Sequence, residues 1–268
     1  MIFRTADTIC KPYLMSNSLK ILYHQGKQYI PDLENAKISS KHSGKPLLLN
    51  STCTDGCKEC INICPAEAIQ KDPVRLDLGK CVFCTECENV CPAKKITFTT
   101  DYHLASNSRE ALVMDASLSE LPLFDPGKIR EEIKGYFGKS LKLRLVSAGS
   151  CNGCELEMNA AGNVNFDMGR FGIEFTASPR HSDGLVITGP MVENSNFAIK
   201  STFDAIPQPK ILILAGACAI SGGIFQNSLA LQRDFIKNHF VDLYLPGCPP
   251  HPLTIVNGIL NLIKSRKH

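Results

Sequence analysis

The chain has 268 residues, 44% of them hydrophobic and 21% charged, an ordinary globular composition whose length suggests two domains rather than one. A formal net charge of +3 is too small to argue for nucleic acid or an anionic membrane surface as a partner. The longest apolar run, Ile211 to Ile220, is far too short to span a bilayer, so membrane association is expected only through other subunits.

In chain order, residues 1–45 form a polar, mixed arm with Ser39, Ser40, Ser43, Gly44 and several lysines. Its lack of a strong period fits an extended segment that docks onto a neighbouring subunit. Cys10 is the odd one of 13 cysteines and reads as a reduced structural thiol. In a secreted chain so many cysteines would mean disulfides. The start MIFRTADTICKPYLM shows no long apolar core, small-residue cleavage site or twin-arginine signal, so the thiols are expected to be reduced, cytoplasmic and available as metal ligands.

Residues 46–100 carry eight of the remaining cysteines as Cys53, Cys57, Cys60, Cys64-Pro65 and Cys81, Cys84, Cys87, Cys91-Pro92. The second run is C-x2-C-x2-C-x3-C-P, the spacing of a bacterial-type two-cluster ferredoxin. Three close thiolates hold one 4Fe-4S cluster, and the fourth, redirected by its proline, reaches the other. Cys53, Cys57, Cys60 and Cys91 are therefore assigned to one cluster, and Cys81, Cys84, Cys87 and Cys64 to the second. Zinc is the alternative for soft thiolates, but zinc sites split their cysteines into distant pairs, whereas this run packs four closely, twice. Cys57, Cys60, Cys64 and Ile69 recur as Cys84, Cys87, Cys91 and Ile96 at a constant offset of 27 residues, so one half-module is used twice. Cys53-x3-Cys57 departs from the pattern by one extra residue. Lys95 to Phe98 reads as the closing strand.

A connection follows over residues 101–140, with an amphipathic helix expected over Pro126 to Phe137 and Ile129, Ile133, Tyr136 and Phe137 on its apolar side. From Leu141 strands and helices alternate. Strands are expected at Leu141 to Ser147, Leu185 to Thr188, Lys210 to Ala215 and Val241 to Leu245. Helices are expected at Glu155 to Ala161, Asn194 to Ala205, Ser228 to Asn238 and Pro252 to Lys264. Residues 141–268 are thus a doubly wound, flavodoxin-like parallel sheet behind an α+β ferredoxin module, making the chain α/β overall. Ligands of such sheets collect outside the carboxyl ends of the strands, and there Cys151, Cys154, Cys218 and Cys248 follow three different strands. A third 4Fe-4S cluster is the expected occupant. Gly149, Gly153, Gly216, Gly222, Gly223 and Gly247 allow close approach of amide hydrogens to its sulfurs, and Pro246, Pro249 and Pro250 stiffen the loop of Cys248. They serve equally as loop punctuation.

The stretches SCNGCELE, SPRHSDGLVITGP, GACAISGGIF and PGCPPHP, in that order, resemble the proximal-cluster small subunit shared by nickel-iron hydrogenases and respiratory complex I (its 20 kDa, B-type subunit). Complex I places adjacent cysteines at the first motif, whereas this chain has Ser150-Cys151 and then Asn152-Gly153-Cys154-Glu155. With Pro179-Arg180-His181 and Ser221 to Phe225, that is similar to the energy-converting, formate hydrogenlyase-like hydrogenases, here with a ferredoxin fused in front. Ala219 and His251 depart from the group's pattern without removing a ligand.

The resemblance implies an electron-transfer subunit of an oxidoreductase complex, peripheral on the inner face of the cytoplasmic membrane. It would relay electrons through three 4Fe-4S clusters to or from a hydrogenase-type or complex I-type large subunit. Membrane-arm subunits and an iron-sulfur donor or acceptor protein complete the expected partners. Glu155 is a candidate proton relay, although an acid at a helix start is favoured in any case. Arg180 and His181 are candidates for the cluster surroundings or the subunit interface, Asp183 for ordering the turn before its strand, and Glu157 and Met158 for interface or core. A complex I-like, nickel-free quinone reductase is the alternative. A free-standing ferredoxin-like carrier or an empty scaffold is the alternative of another class.

Overall fold

The computed structural model describes residues 17–26, 28–50, 53, 56–117, 122–133, 136–137, 140–149 and 151–263. Cys10, Ser150 and Lys264 lie outside the described residues. Helix α1 (Asn17–Gln25) buries none of its residues. Residues 28–45 lie instead against their own chain, where the Tyr102 hydroxyl donates to Leu33 O at 3.1 Å and Glu34 O at 2.8 Å. Asn257 Nδ2 also donates to Leu33 O, at 2.8 Å. These partners lie far along the chain and leave no local signal, which is why the sequence points this stretch towards a neighbouring subunit.

Over residues 46–100, strand β1 (Pro46–Leu48), helix α2 (Glu59–Ile63), strands β2 (Ile69–Gln70) and β3 (Arg75–Asp77), helix α3 (Glu86–Val90) and strand β4 (Ile96–Phe98) follow one another. The helices α2 and α3 start and stop at the same 27-residue offset as the cysteines. The expected closing strand is β4, and its antiparallel partner β1, Leu48 opposite Ile96, was not read from the sequence. Strand β5 (Val113–Met114), from the connection, adds a third strand to β2 and β3. Asp77 holds it near with a two-pronged ion pair to Arg109, at 2.9 and 2.6 Å.

The expected helix over Pro126 to Phe137 is a correction. Only a 3-10 turn, Pro126–Lys128, forms there among the described residues, and Ile129 is already extended. Tertiary demand ends the helix: Ile129, Ile133 and Phe137 enter the core, Tyr136 stays exposed, and Arg130 pairs with Asp242 at 2.6 Å while donating to Lys210 O.

The remaining elements are β6 (Leu141–Ser147), α4 (Gly153–Ala161), β7 (Ile173–Phe175), β8 (Gly184–Thr188), α5 (Asn196–Ala205), β9 (Ile211–Ala215), α6 (Ala217–Ser221), α7 (Asp234–Lys237), β10 (Leu243–Leu245) and α8 (Pro252–Ile263). The five strands pair in parallel in the order β10-β9-β8-β6-β7, the flavodoxin-like order, with its switch point between β6 and β8. The four expected strands and the helices around α4, α5 and α8 are present; the short edge strand β7 was not foreseen. The helix read over Ser228 to Asn238 shrinks to α7. Its first half is pulled straight by Glu193 N–H donating to Ala230 O and Gln232 N–H to Met191 O, both backbone bonds to the loop after β8.

Period-two alternation sends side chains to two cores. Val186, Ile211, Ile213 and Ala215 face α4, α8, the connection and the arm. Leu185, Ile187, Leu212 and Leu214 share one continuous core with Leu48, Leu76, Leu78 and Ile96 of residues 46–100 and with Met114 of the added strand. Each fully buried Leu or Ile is worth about 1.5–3 kcal/mol, so this seam is a core and not a light docking contact. On the far side, Ser106 of the connection exchanges both backbone hydrogen bonds with Tyr244, 3.0 and 2.7 Å, along the outer edge of β10.

Candidate metal centres

The structure brings the eight cysteines of residues 46–100 together in crossed sets. Cys53, Cys57, Cys60 and Cys91 line one hollow with Ile61, Val74 and Ile96. Cys64, Cys81, Cys84 and Cys87 line another with Ala68, Ile69 and Phe98. The local geometry repeats with the sequence: Ala68 N–H donates to Cys64 Sγ and Lys95 N–H to Cys91 Sγ, both at 3.3 Å, and Phe83 N–H donates to Cys81 Sγ at 3.3 Å. Phe83 and Thr85 take positive φ values of 55° and 64°, an uncommon conformation for such residues that winds the cysteine run around its hollow.

Cys151 and Cys154 follow β6, Cys218 lies in α6 after β9, and Cys248 follows β10. Two of these loops are tied to each other, Gly216 N–H donating to Leu245 O at 2.8 Å and Ala217 N–H to Gly247 O at 2.9 Å. Cys154 is buried and Cys218 half-buried, while Cys151 and Cys248 are exposed, so this quartet opens outward. A Cβ on Gly216 would stand 2.6 Å from Cys154 Sγ, and one on Gly223 3.1 Å from Cys218 Sγ. The arm reaches this region too: the His42 ring packs edge-on to His251 at 5.0 Å, and burial, then His42, lowers the His251 imidazole to about 4.

Burial raises the metal-free thiols, and their neighbours add to it. Cys81 and Cys87 reach about 12, as does Cys154, with Glu155 the next cause. Cys218 reaches about 11, and Cys60 is raised by burial and then by Cys91. Such thiols are neutral at pH 7 and become thiolates when metal displaces their protons. Soft thiol donors at all three sites, with amide hydrogens on sulfur in the two quartets of residues 46–100 and glycines where a Cβ would strike sulfur at the third, fit iron-sulfur groups.

Glu155 sits buried in the first turn of α4 and accepts a 2.6 Å hydrogen bond from Thr188 Oγ1 at the end of β8. Met158 is core, and Glu157 is half-buried with its carboxyl raised by burial. Arg180 and His181 are exposed on the 3-10 turn Pro179–His181, before β8 and so away from the strand ends that carry the cysteines. Asp183 accepts from Lys142 N–H at 2.7 Å, ordering the start of β8 as the sequence suggested. Arg233 was missed. It donates to Pro190 O and Cys218 O, both 3.1 Å, and to Ala219 O at 2.7 Å, contacts that no local pattern announces.

The family model of the NADH ubiquinone oxidoreductase 20 Kd subunit matches residues 151–262. A probable membrane-bound hydrogenase subunit, mbhJ, of Pyrococcus furiosus is 38% identical over 125 residues, 47% of this chain and 75% of that protein. The chain belongs to the 20 Kd subunit family. The B-type subunit of the NADH-quinone oxidoreductase of Clostridium beijerinckii is 41% identical over 110 residues, 41% of this chain and 65% of that protein. A chain in the solved archaeal respiratory complex membrane-bound sulfane sulfur reductase is 30% identical, with a TM-score of 0.42 over 49% of this chain and 74% of its own length. The family match begins at Cys151, so residues 46–100 lie outside it. Among the described residues no helix is long and apolar enough to cross a membrane.

Proposed function

We propose that the chain is the electron-transfer subunit of a membrane-associated, formate hydrogenlyase-like hydrogenase, holding three 4Fe-4S clusters and serving a large subunit that carries the substrate-converting centre. When bound, such a cluster supplies one-electron redox chemistry. The observation that carries the reading is the seam between the two cysteine-bearing parts. Gln226 Nε2 donates to Ala66 O at 3.2 Å and Asn227 Nδ2 to Glu67 Oε1 at 3.4 Å. The turn after Cys64 is thereby fixed to the segment after Cys218. The Cys64 quartet is accordingly the inner ferredoxin site, the Cys53 quartet the outer one, and the outward-opening Cys151 quartet faces the large subunit. Buried Glu155, beside Cys154, is the proton carrier in this reading, with Thr188 holding its carboxylate.

The relatives' names support a hydrogenase and a complex I-type partner alike, so a nickel-free quinone reductase is the second reading. Anaerobic purification of the native complex with metal analysis tests both. About twelve irons per chain with stoichiometric nickel is expected. The same iron without nickel would move the assignment to the quinone reductase, and a zinc-loaded chain free of iron would end the iron-sulfur reading.

A further inference from the structure

Arg233 is a half-buried cation whose hydrogen bonds go to neutral acceptors: Pro190 O from the loop after β8, and Cys218 O and Ala219 O from α6. Among the described residues no carboxylate pairs with it. The charges that act on it are Arg109, which opposes its protonation, and the Cys218 sulfur, which favours it. Arg109 differs sharply, because Asp77 neutralises it through the two-pronged pair at the same seam. A guanidinium keeps its proton in proteins, so Arg233 carries its charge at neutral pH. A charge withdrawn from water needs a counter-charge, and four thiolates with their iron-sulfur core would place a negative one next to it.

We propose that Arg233 is the positioning residue that sets the reduction potential of the Cys151, Cys154, Cys218 and Cys248 site, through an uncompensated positive charge held behind Cys218. The proposal rests on the iron-sulfur reading above. Adding an electron makes the site more negative, and a fixed cation hydrogen-bonded to the Cys218 backbone favours that state. At protein-like dielectric one such charge is worth on the order of tenfold in the reduction equilibrium. The three carbonyls fix its place, and the absence of a carboxylate partner among the described residues leaves its field intact.

The test is an anaerobic dithionite titration of the full-length protein followed by EPR, the relevant signal being the one that Cys218→Ser removes. Arg233→Gln with unchanged iron is expected to lower that site's reduction equilibrium about tenfold, or about 59 mV for one electron. The two ferredoxin signals should stay in place, Arg233→Lys should recover most of the shift, and the paired change Arg109→Gln with Asp77→Asn, which leaves the local charge sum unaltered, should move the potential little. An unmoved potential in iron-replete Arg233→Gln would overturn the proposal. Equal shifts in the Gln and Lys variants would do the same, since a guanidinium that merely braces the loop behaves so. If Arg233→Gln loses iron, Arg233→Lys decides alone: a potential within about twofold of wild type supports the charge, and the full shift refutes it. A wild-type protein lacking the Cys218-dependent signal overturns the iron-sulfur reading first and the proposal with it.

Discussion

Asp242 shows how one residue ties distant parts of the chain. It is 3% exposed, receives Arg130 Nε at 2.6 Å and Nη2 at 3.1 Å, and accepts from Leu212 N–H at 2.9 Å. Burial nevertheless raises its carboxyl above the ordinary range, Arg130 opposing it. Removing the cation leaves a buried charge, and Arg130→Ala is expected to cost about 3–5 kcal/mol near pH 7. Without Arg130 the folded carboxyl rises further, so the cost is full where Asp242 is ionised in both proteins, shrinks as the pH falls through the variant's folded pKa, and is gone once the wild-type carboxyl is protonated too. Unfolding midpoints of wild type and variant should therefore converge as the pH is lowered from 7 to 4.5. A gap that widens would mean the pair is not what holds the connection down. From the sequence Arg130 was merely a charge between apolar positions, because the residue that needs it lies 112 positions away.

At the scale of elements, β9 ends at Ala215 and α6 begins at Ala217, leaving Gly216 alone to make the turn, at φ +89°. A side chain there is doubly opposed, by the backbone conformation and by Cys154 Sγ. Gly216→Ala is expected to cut iron from about twelve to about eight per chain while the two ferredoxin signals persist, as iron analysis with EPR would show; full retention of iron would contradict the cradle. This glycine was legible beforehand, along with the cysteine spacing and the four expected strands, because ligand spacing and apolar runs are local signals. The helices over Pro126 to Phe137 and Ser228 to Asn238 misled for the opposite reason. Their apolar periods are real, but Arg130 and the backbone of Ala230 and Gln232 are claimed by partners elsewhere in the fold. Strand β7, three residues at a sheet edge, is too short to announce itself.

Across the whole molecule residues 46–100 and the parallel sheet share a core, and Gly79 marks how closely they meet. A Cβ there would fall 2.7 Å from Ile220 Cγ2 and 3.0 Å from Arg109 Cζ. A β-branched side chain in a helix has little rotamer freedom with which to yield. Gly79→Ala is thus expected to cost about 1–3 kcal/mol and to lower the unfolding midpoint; an unchanged midpoint would mean the seam is softer than its packing. Covalent fusion and this shared core together make the donor and acceptor thirds of the proposed relay inseparable, so their meeting does not depend on protein concentration. The bond pair between Ser106 and Tyr244 has a consequence of another kind. A bare outer strand is a template onto which a second chain can zip. The connection occupies that rail on β10, so a newly made, still metal-free chain is protected there from growing into aggregates while it waits for its iron.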